Sequence, residues 1–202
     1  MGFSGLTINV RDDLVTGSKM TLTTLDPPIV AVVSVWTAQS YGTQVAELIS
    51  LLERDFGSVA GYLVTESVPL AVPRVDLGQR TPGLSNMAFL RRPDDLDEDT
   101  WRRRWHLDHT QVAVDTQATF GYVQNAVVRA ITPDAPVIAA IVEEFFPIEA
   151  VGDLRAFFGA VDDDQLTDRM TRMLKSTAAF GADQNIDTVP TSQYVFADPF
   201  VH

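Results

Sequence analysis

The stretch Val137-Ile138-Ala139-Ala140-Ile141-Val142-Glu143-Glu144-Phe145-Phe146, followed by Pro147, decides the fold. Its branched and aromatic side chains read as a β-strand, and the proline cannot continue a ladder. Neighbours along a strand point to opposite faces. Ile138, Ala140 and Val142 therefore share one face, and Val137, Ala139 and Ile141 the other; Phe145 and Phe146 also divide between them. A sheet with water on one side alternates apolar and polar residues. This strand does not, so both of its faces must be covered. Glu143 and Glu144 fall one on each face, and a buried carboxyl without a partner is costly.

Working outward, residues 119–131 read as a long strand before it and residues 86–90 as another, with the loop Pro93-Asp94-Asp95 after the latter. Asp97 is a good N-cap, and Glu98 and Asp99 suit the positive end of a helix dipole. That helix is expected to run to about residue 114. Downstream of Pro147 a helical pattern runs through Leu154, Phe157 and Phe158, breaks at Gly159 and Asp162-Asp163-Asp164, and resumes at Leu166, Met170, Met173 and Leu174. A last strand covers 191–197. The class is α+β, and the order from residue 86 is β-α-β-β-α-β, the ferredoxin-like arrangement.

Upstream, residues 6–10 and 20–23 alternate like short strands, and 29–36 is a valine-rich strand after Asp26-Pro27-Pro28. Residues 43–56 form an amphipathic helix with Val45, Leu48, Ile49, Leu52 and Phe56 on one face, and 59–70 a returning strand. The stretch 71–83, with its prolines and glycines, is a connector. Two units follow: an N-terminal β-α-β unit in residues 1–82, readable as a degenerate repeat packing on the second, and a ferredoxin-like unit in 83–202. The second face of the sheet is then covered either by another copy of the chain or by the N-terminal unit, giving a dimeric or an intrachain pseudo-dimeric α+β barrel. Its interior is a natural small-molecule cavity. The polar residues inside the apolar strands are Tyr122, Gln124, Asn125, Glu143 and Glu144. Alternation alone leaves open which of each adjacent pair faces inward.

Composition removes several classes of function. The chain has 202 residues and no cysteine, which excludes disulfides, thiolate nucleophiles and Cys-ligated metal sites. A net charge of −12 argues against nucleic acid, whose phosphates call for cationic surfaces. No apolar run is long enough to span a membrane and no secretory signal is visible, so a cytoplasmic protein is expected. No phosphate loop, dinucleotide fingerprint or nucleophile elbow is present, and no metal or cofactor is expected. Arg91, Arg92, Arg102 and Arg103 read as solvated surface.

Histidine is scarce: His106, His109 and His202. Within Trp101-Arg102-Arg103-Arg104-Trp105-His106-Leu107-Asp108-His109, helical spacing places Trp101, Trp105 and Val112 on one face with His109 at its edge, near the mouth of a barrel. With an ordinary pKa of about 6.5, such a histidine can act as general acid or base; the alternative is a structural histidine bonded to the backbone. His106 is expected to face solvent.

The run Phe89-Leu90-Arg91-Arg92-Pro93, then Asp97, Trp101 and Trp105-x-x-x-His109, resembles the first strand and helix of the EthD family of dimeric α+β barrels. Gly121-Tyr122-Val123-Gln124-Asn125 is similar to that family's second strand, and Glu143-Glu144-Phe145-Phe146 with Glu149-Ala150 to its third. The resemblance implies a cofactor-free homodimer acting on a hydrophobic, oxygenated small molecule, such as an aromatic or polyketide-like compound or an ether-degradation intermediate. It implies a monooxygenase-like, dehydratase or cyclase activity; the alternative is a non-catalytic small-molecule binding or accessory protein of a catabolic oxidoreductase system. His109 matches the family's recurrent helix histidine. The pocket expected from it has His109 moving a proton, Tyr122, Gln124, Asn125 and Glu143 orienting the substrate, and Trp105 and Phe146 as walls.

Overall fold

The computed structural model describes residues 2–200, so His202 lies outside the described residues. Among these the order is β1 (Gly5–Val10), β2 (Ala31–Trp36), α1 (Thr43–Phe56), β3 (Tyr62–Leu70), β4 (Leu84–Leu90), α2 (Glu98–Arg103), a π-helical segment (Arg104–His109), α3 (Thr110–Thr116), β5 (Gly121–Ala130), β6 (Ala140–Phe146), a short 3-10 turn (Ile148–Val151), α4 (Leu154–Phe158), α5 (Asp163–Ala178) and β7 (Asp187–Ala197). The caps explain the boundaries. The Asp97 carboxylate accepts the Thr100 N–H at 2.9 Å and opens α2, and Asp162 does the same for Gln165 at the start of α5. Gly159 closes α4 at φ 59, a left-handed conformation that favours glycine.

The strands form one antiparallel sheet in the order β2-β1-β7-β4-β6-β5-β3. β4 and β6 lie at its centre and are buried at every position, as the unbroken apolar run in β6 required. On one face Ala88, Leu90, Tyr122, Ala126, Ala140 and Val142 pack beneath Trp101, Trp105, Ala113 and Phe180 of the helical layer. On the other, Met87, Phe89, Ile141 and Val189 pack with Ile29, Val32, Tyr62 and Val127.

Two expectations change here. β2 and β3 flank α1 in sequence but occupy opposite edges of the sheet, so residues 29–70 do not form a self-contained β-α-β layer. Nor does residue stretch 20–23 form a strand; Leu22 makes a single bridge to Thr188. The second face is covered by curvature. The sheet curls into a half-barrel, far enough that Trp36 of β2 stands beside Glu66 of β3 and influences its ionisation. α1 links these two edges and buries none of its side chains. Among the described residues no helix is long and apolar enough to cross a membrane.

Candidate functional site

Glu143 and Glu144 are neighbours on β6 with 9% and 7% exposure, one on each face of the sheet. Their surroundings differ sharply.

On the helix-covered face, Glu144 sits between its direct cross-strand neighbours Asn86 of β4 and Tyr122 of β5. The helix above widens into its π-helical segment at this level, a local expansion often found where a site must be accommodated. The Thr110 backbone N–H closes back on the Trp105 carbonyl, and the Thr110 hydroxyl donates to the same oxygen at 3.2 Å. Thr110 Oγ1 in turn accepts from Gln124 Nε2 at 2.9 Å, and Gln124 Oε1 lies 2.9 Å from His106 Nδ1. An amide oxygen only accepts, so the His106 proton resides on Nδ1 in this arrangement. The His106 ring lies against that of Trp105, with centroids 4.1 Å apart. Gln124 is thus held from both sides, and Trp105 is fixed over the sheet.

Between these fixed groups lie unpartnered ones. Asn86 Oδ1 and Trp105 Nε1 are sealed from solvent with no hydrogen-bond partner. Glu144 makes no side-chain hydrogen bond among the described residues, and burial pushes its carboxyl up to about 8. It is a neutral acid at pH 7, able to donate a proton or, once ionised, to accept one. Burial and the neighbouring Glu144 both raise the Tyr122 phenol; the nearby Gln124 and Trp105 offset this in part, although the indole N–H does not reach hydrogen-bond geometry. Buried polar atoms are rarely left unsatisfied, and a local group of them marks a place where a ligand or water completes the bonding.

On the concave face, Glu143 is tightly held. Its Oε1 accepts from Asn9 Nδ2 at 2.7 Å, Ser85 Oγ at 2.7 Å and Gln193 Nε2 at 2.8 Å. Thr81 orients Gln193 by donating to its Oε1 at 2.7 Å, and Asn9 also reaches Thr191. Burial raises the Glu143 carboxyl and these donors lower it, leaving a net upward shift to which Glu66 adds.

The residues expected to form one pocket are divided. Trp105, Tyr122 and Gln124 come together on the helix-covered face; Asn125 and Glu143 lie on the concave face. Phe146 is on the helix side but belongs to a neighbouring cluster, stacked on Phe157 at 4.1 Å. His109 is not at a barrel mouth. It is buried against α5, with Nδ1 2.9 Å from Ser176 Oγ and its ring 4.9 Å from that of Phe180. Burial lowers it to about 4, so it is neutral at pH 7. Its geometry is that of a structural histidine whose partner is a side-chain hydroxyl. His106, expected in solvent, is instead part-buried and bonded to Gln124. Asn86 was missed; the signal was a lone amide in an apolar strand, on the same parity as Ala88 and Leu90.

A surface cleft of about 590 Å³ lies elsewhere, between Arg91, Arg92, Arg104 and residues 178–185. Each arginine donates to a backbone carbonyl, of Asn185, Leu96 and Ala179 respectively, and Asp95 and Asp183 share the lining. Those guanidiniums are tied into the structure, and the chemistry is concentrated in the sheet. Among the described residues no group of three or more His, Cys, Asp or Glu is placed to hold a metal ion. No protein-family model, curated protein or solved structure matches the chain.

Proposed function

We propose that the protein binds a small, mostly apolar, oxygenated molecule between the helices and the sheet, and moves a proton on it with Glu144. One observation carries this reading: a buried carboxyl without a partner beside an orphaned acceptor, Asn86 Oδ1, and an orphaned donor, Trp105 Nε1. A molecule bearing a hydroxyl and a carbonyl on an aromatic or polyketide-like body complements that set, as does an oxygenated ether-degradation intermediate. Trp105 and Tyr122 supply the walls, and Gln124, held by Thr110 and His106, sets the edge of the pocket.

The chemistry follows from the carboxyl. A group whose pKa lies near the working pH serves as acid and base in turn. In a dehydration, Glu144 gives its proton to the departing hydroxyl, and its carboxylate takes a hydrogen from the adjacent carbon. One C–O and one C–H bond break, a C=C bond forms, and water leaves. Such a proton transfer needs no cofactor.

The strand order β7-β4-β6-β5, with helices joining β4 to β5 and β6 to β7, supports reading residues 83–202 as a ferredoxin-like unit. It agrees with the EthD-like motifs. In this reading the proton-moving role passes from His109 to Glu144, because His109 is occupied by Ser176. β1, β2 and β3 stand in for part of a second unit, so the barrel is internally paired; the family likeness implies a homodimer as well.

Native mass spectrometry of gently purified protein reads retained ligand and subunit number together. The expected result is a small oxygenated compound bound one per chain, converted by wild type and not by Glu144→Gln. A compound that binds both forms and is never converted would leave a carrier. A protein that retains nothing and binds no hydroxylated aromatic ketone would sink the proposal.

A further inference from the structure

The concave face carries a second feature, independent of the Glu144 site. All three donors to Glu143 converge on Oε1, and Oε2 has no partner among the described residues. Glu143 is 9% exposed, so this is a nearly buried carboxylate with one oxygen clamped and the other open. The clamp draws on three strands: Asn9 from β1, Ser85 from β4 and Gln193 from β7. Its remaining strand neighbour is β5, where Val123 lies directly opposite Glu143 and Asn125 comes two residues further along on the same face. Asn125 makes no side-chain hydrogen bond among the described residues and is only half-buried. Directly across from Asn125 on β3 is Glu66, whose charge reaches Glu143. Glu66 lies on the exposed edge strand, with the Trp36 indole beside it.

Three acceptors therefore share the concave face along β6, β5 and β3: Glu143 Oε2, the Asn125 side-chain amide oxygen and the Glu66 carboxylate. No cationic side chain pairs with either carboxylate among the described residues. A nearly buried carboxylate with a like charge close by and no counterion is unfavourable, and a cation between the two removes the repulsion. Two carboxylates and one amide make a poor metal cage, because no third carboxylate or imidazole joins them. They match a primary ammonium, which has three N–H donors. The Trp36 indole N–H lies toward Glu66 and favours its charged form. Val123 and Met87, both directly opposite Glu143, offer an apolar floor to the rest of the molecule.

We propose that the concave face of the half-barrel binds a small organic ammonium ion with an apolar body, held by Glu143 Oε2, Asn125 and Glu66. The Oε1 clamp positions Glu143 so that its free oxygen is presented without a search through rotamers. Ligand enters past Glu66 and Trp36, between β2 and β3.

Isothermal titration calorimetry of the full chain at neutral pH tests this, with benzylamine as the cationic probe and benzyl alcohol as its neutral isostere. Cyclohexylamine and 1,4-diaminobutane vary the apolar body. The expected result is saturable binding of benzylamine at one site per chain, at least about tenfold tighter than benzyl alcohol. Glu66→Gln, at an exposed position where folding is not at stake, weakens benzylamine by a further several-fold, and Glu143→Gln weakens it more. Equal affinity for amine and alcohol would overturn the proposal. So would the absence of binding by all three amines up to about 10 mM, or an unchanged affinity in Glu66→Gln. In those cases the network around Glu143 is purely structural.

Discussion

Glu144→Gln makes a quantitative test of the helix-side site. In the unfolded chain Glu144 titrates near 4.5, and in the folded chain burial moves it up to about 8. The folded state therefore holds the proton more tightly. The stability this contributes is fully present below pH 4.5 and is lost as the pH rises through about 8. At about 1.4 kcal/mol per pKa unit, the whole loss is on the order of 5 kcal/mol. His109 acts in the opposite sense. It drops from 6.5 to about 4, so its stability is present above pH 6.5 and lost as the pH falls through about 4, on the order of 3 kcal/mol. Between pH 4.5 and 6.5 the two slopes cancel; above 6.5 only the Glu144 slope remains of this pair, about 1.4 kcal/mol per pH unit. Glu143 and Glu66, also raised by burial, act in the same sense as Glu144. Urea denaturation of wild type and Glu144→Gln at unit steps from about pH 5 to about pH 9 isolates the Glu144 contribution, because every other titration cancels in the difference. The amide cannot ionise, so the variant gains on wild type as the pH rises, by about 2 kcal/mol between pH 6.5 and 8. A difference constant within about 0.5 kcal/mol over that range would show that Glu144 titrates like an exposed carboxyl, and the proton-transfer reading would fail with it.

Two further perturbations test the surrounding structure. His109→Ala removes the bond to Ser176 and opens space beside Phe180; thermal unfolding should report a loss of about 2–4 kcal/mol, while native mass spectrometry finds ligand retention unchanged. Loss of ligand from a variant that remains folded would return His109 to the site. Arg91→Ala removes the charge partner of Asp187, which is 2.8 Å away and 2% exposed. Asp187 keeps the Thr24 and Leu25 donors that help hold it below its ordinary value against burial, but with Arg91 gone its pKa rises. Stability should fall by about 3 kcal/mol, with faster hydrogen exchange at the Thr24 and Leu25 amides; unchanged exchange there would mean that Arg91 is dispensable.

Local signals carried most of the element assignments. The helix at 43–56 is marked by its 3.6-residue apolar period and by Gly57, and the observed bounds agree. The break between α4 and α5 follows from Gly159 and the Asp162 cap. The double-sided apolar pattern in β6 also correctly demanded a covered second face. Long-range pairing was not legible. The loops on either side of α1 contain nothing that distinguishes adjacent strands from opposite edges, so β2 and β3 were placed together when the sheet separates them by five strands. The π-helical segment left no mark either, because a single extra residue in a helical turn does not disturb the apolar spacing over so short a stretch. Both histidines lie in that segment, His106 bonded to Gln124 and His109 to Ser176.

The adjacent carboxyls show where sequence reading stops and tertiary structure begins. Glu143 and Glu144 are identical side chains on one strand, and parity alone predicts only that they part company. What each becomes depends on what faces it. The concave side receives β1, whose Asn9 joins Ser85 and Gln193 in satisfying Glu143. The helix side presents Trp105, Tyr122 and Asn86, none of which bonds to Glu144. A fold selected only for stability would fill that position with an apolar residue, since a buried unpaired carboxyl costs free energy. The same strand shows that the fold can satisfy a carboxylate with three donors one residue away. That Glu144 has no protein partner is therefore a property of its own surroundings rather than a general looseness of the sheet, and a bound molecule is the simplest group to complete it and its orphaned neighbours Asn86 and Trp105.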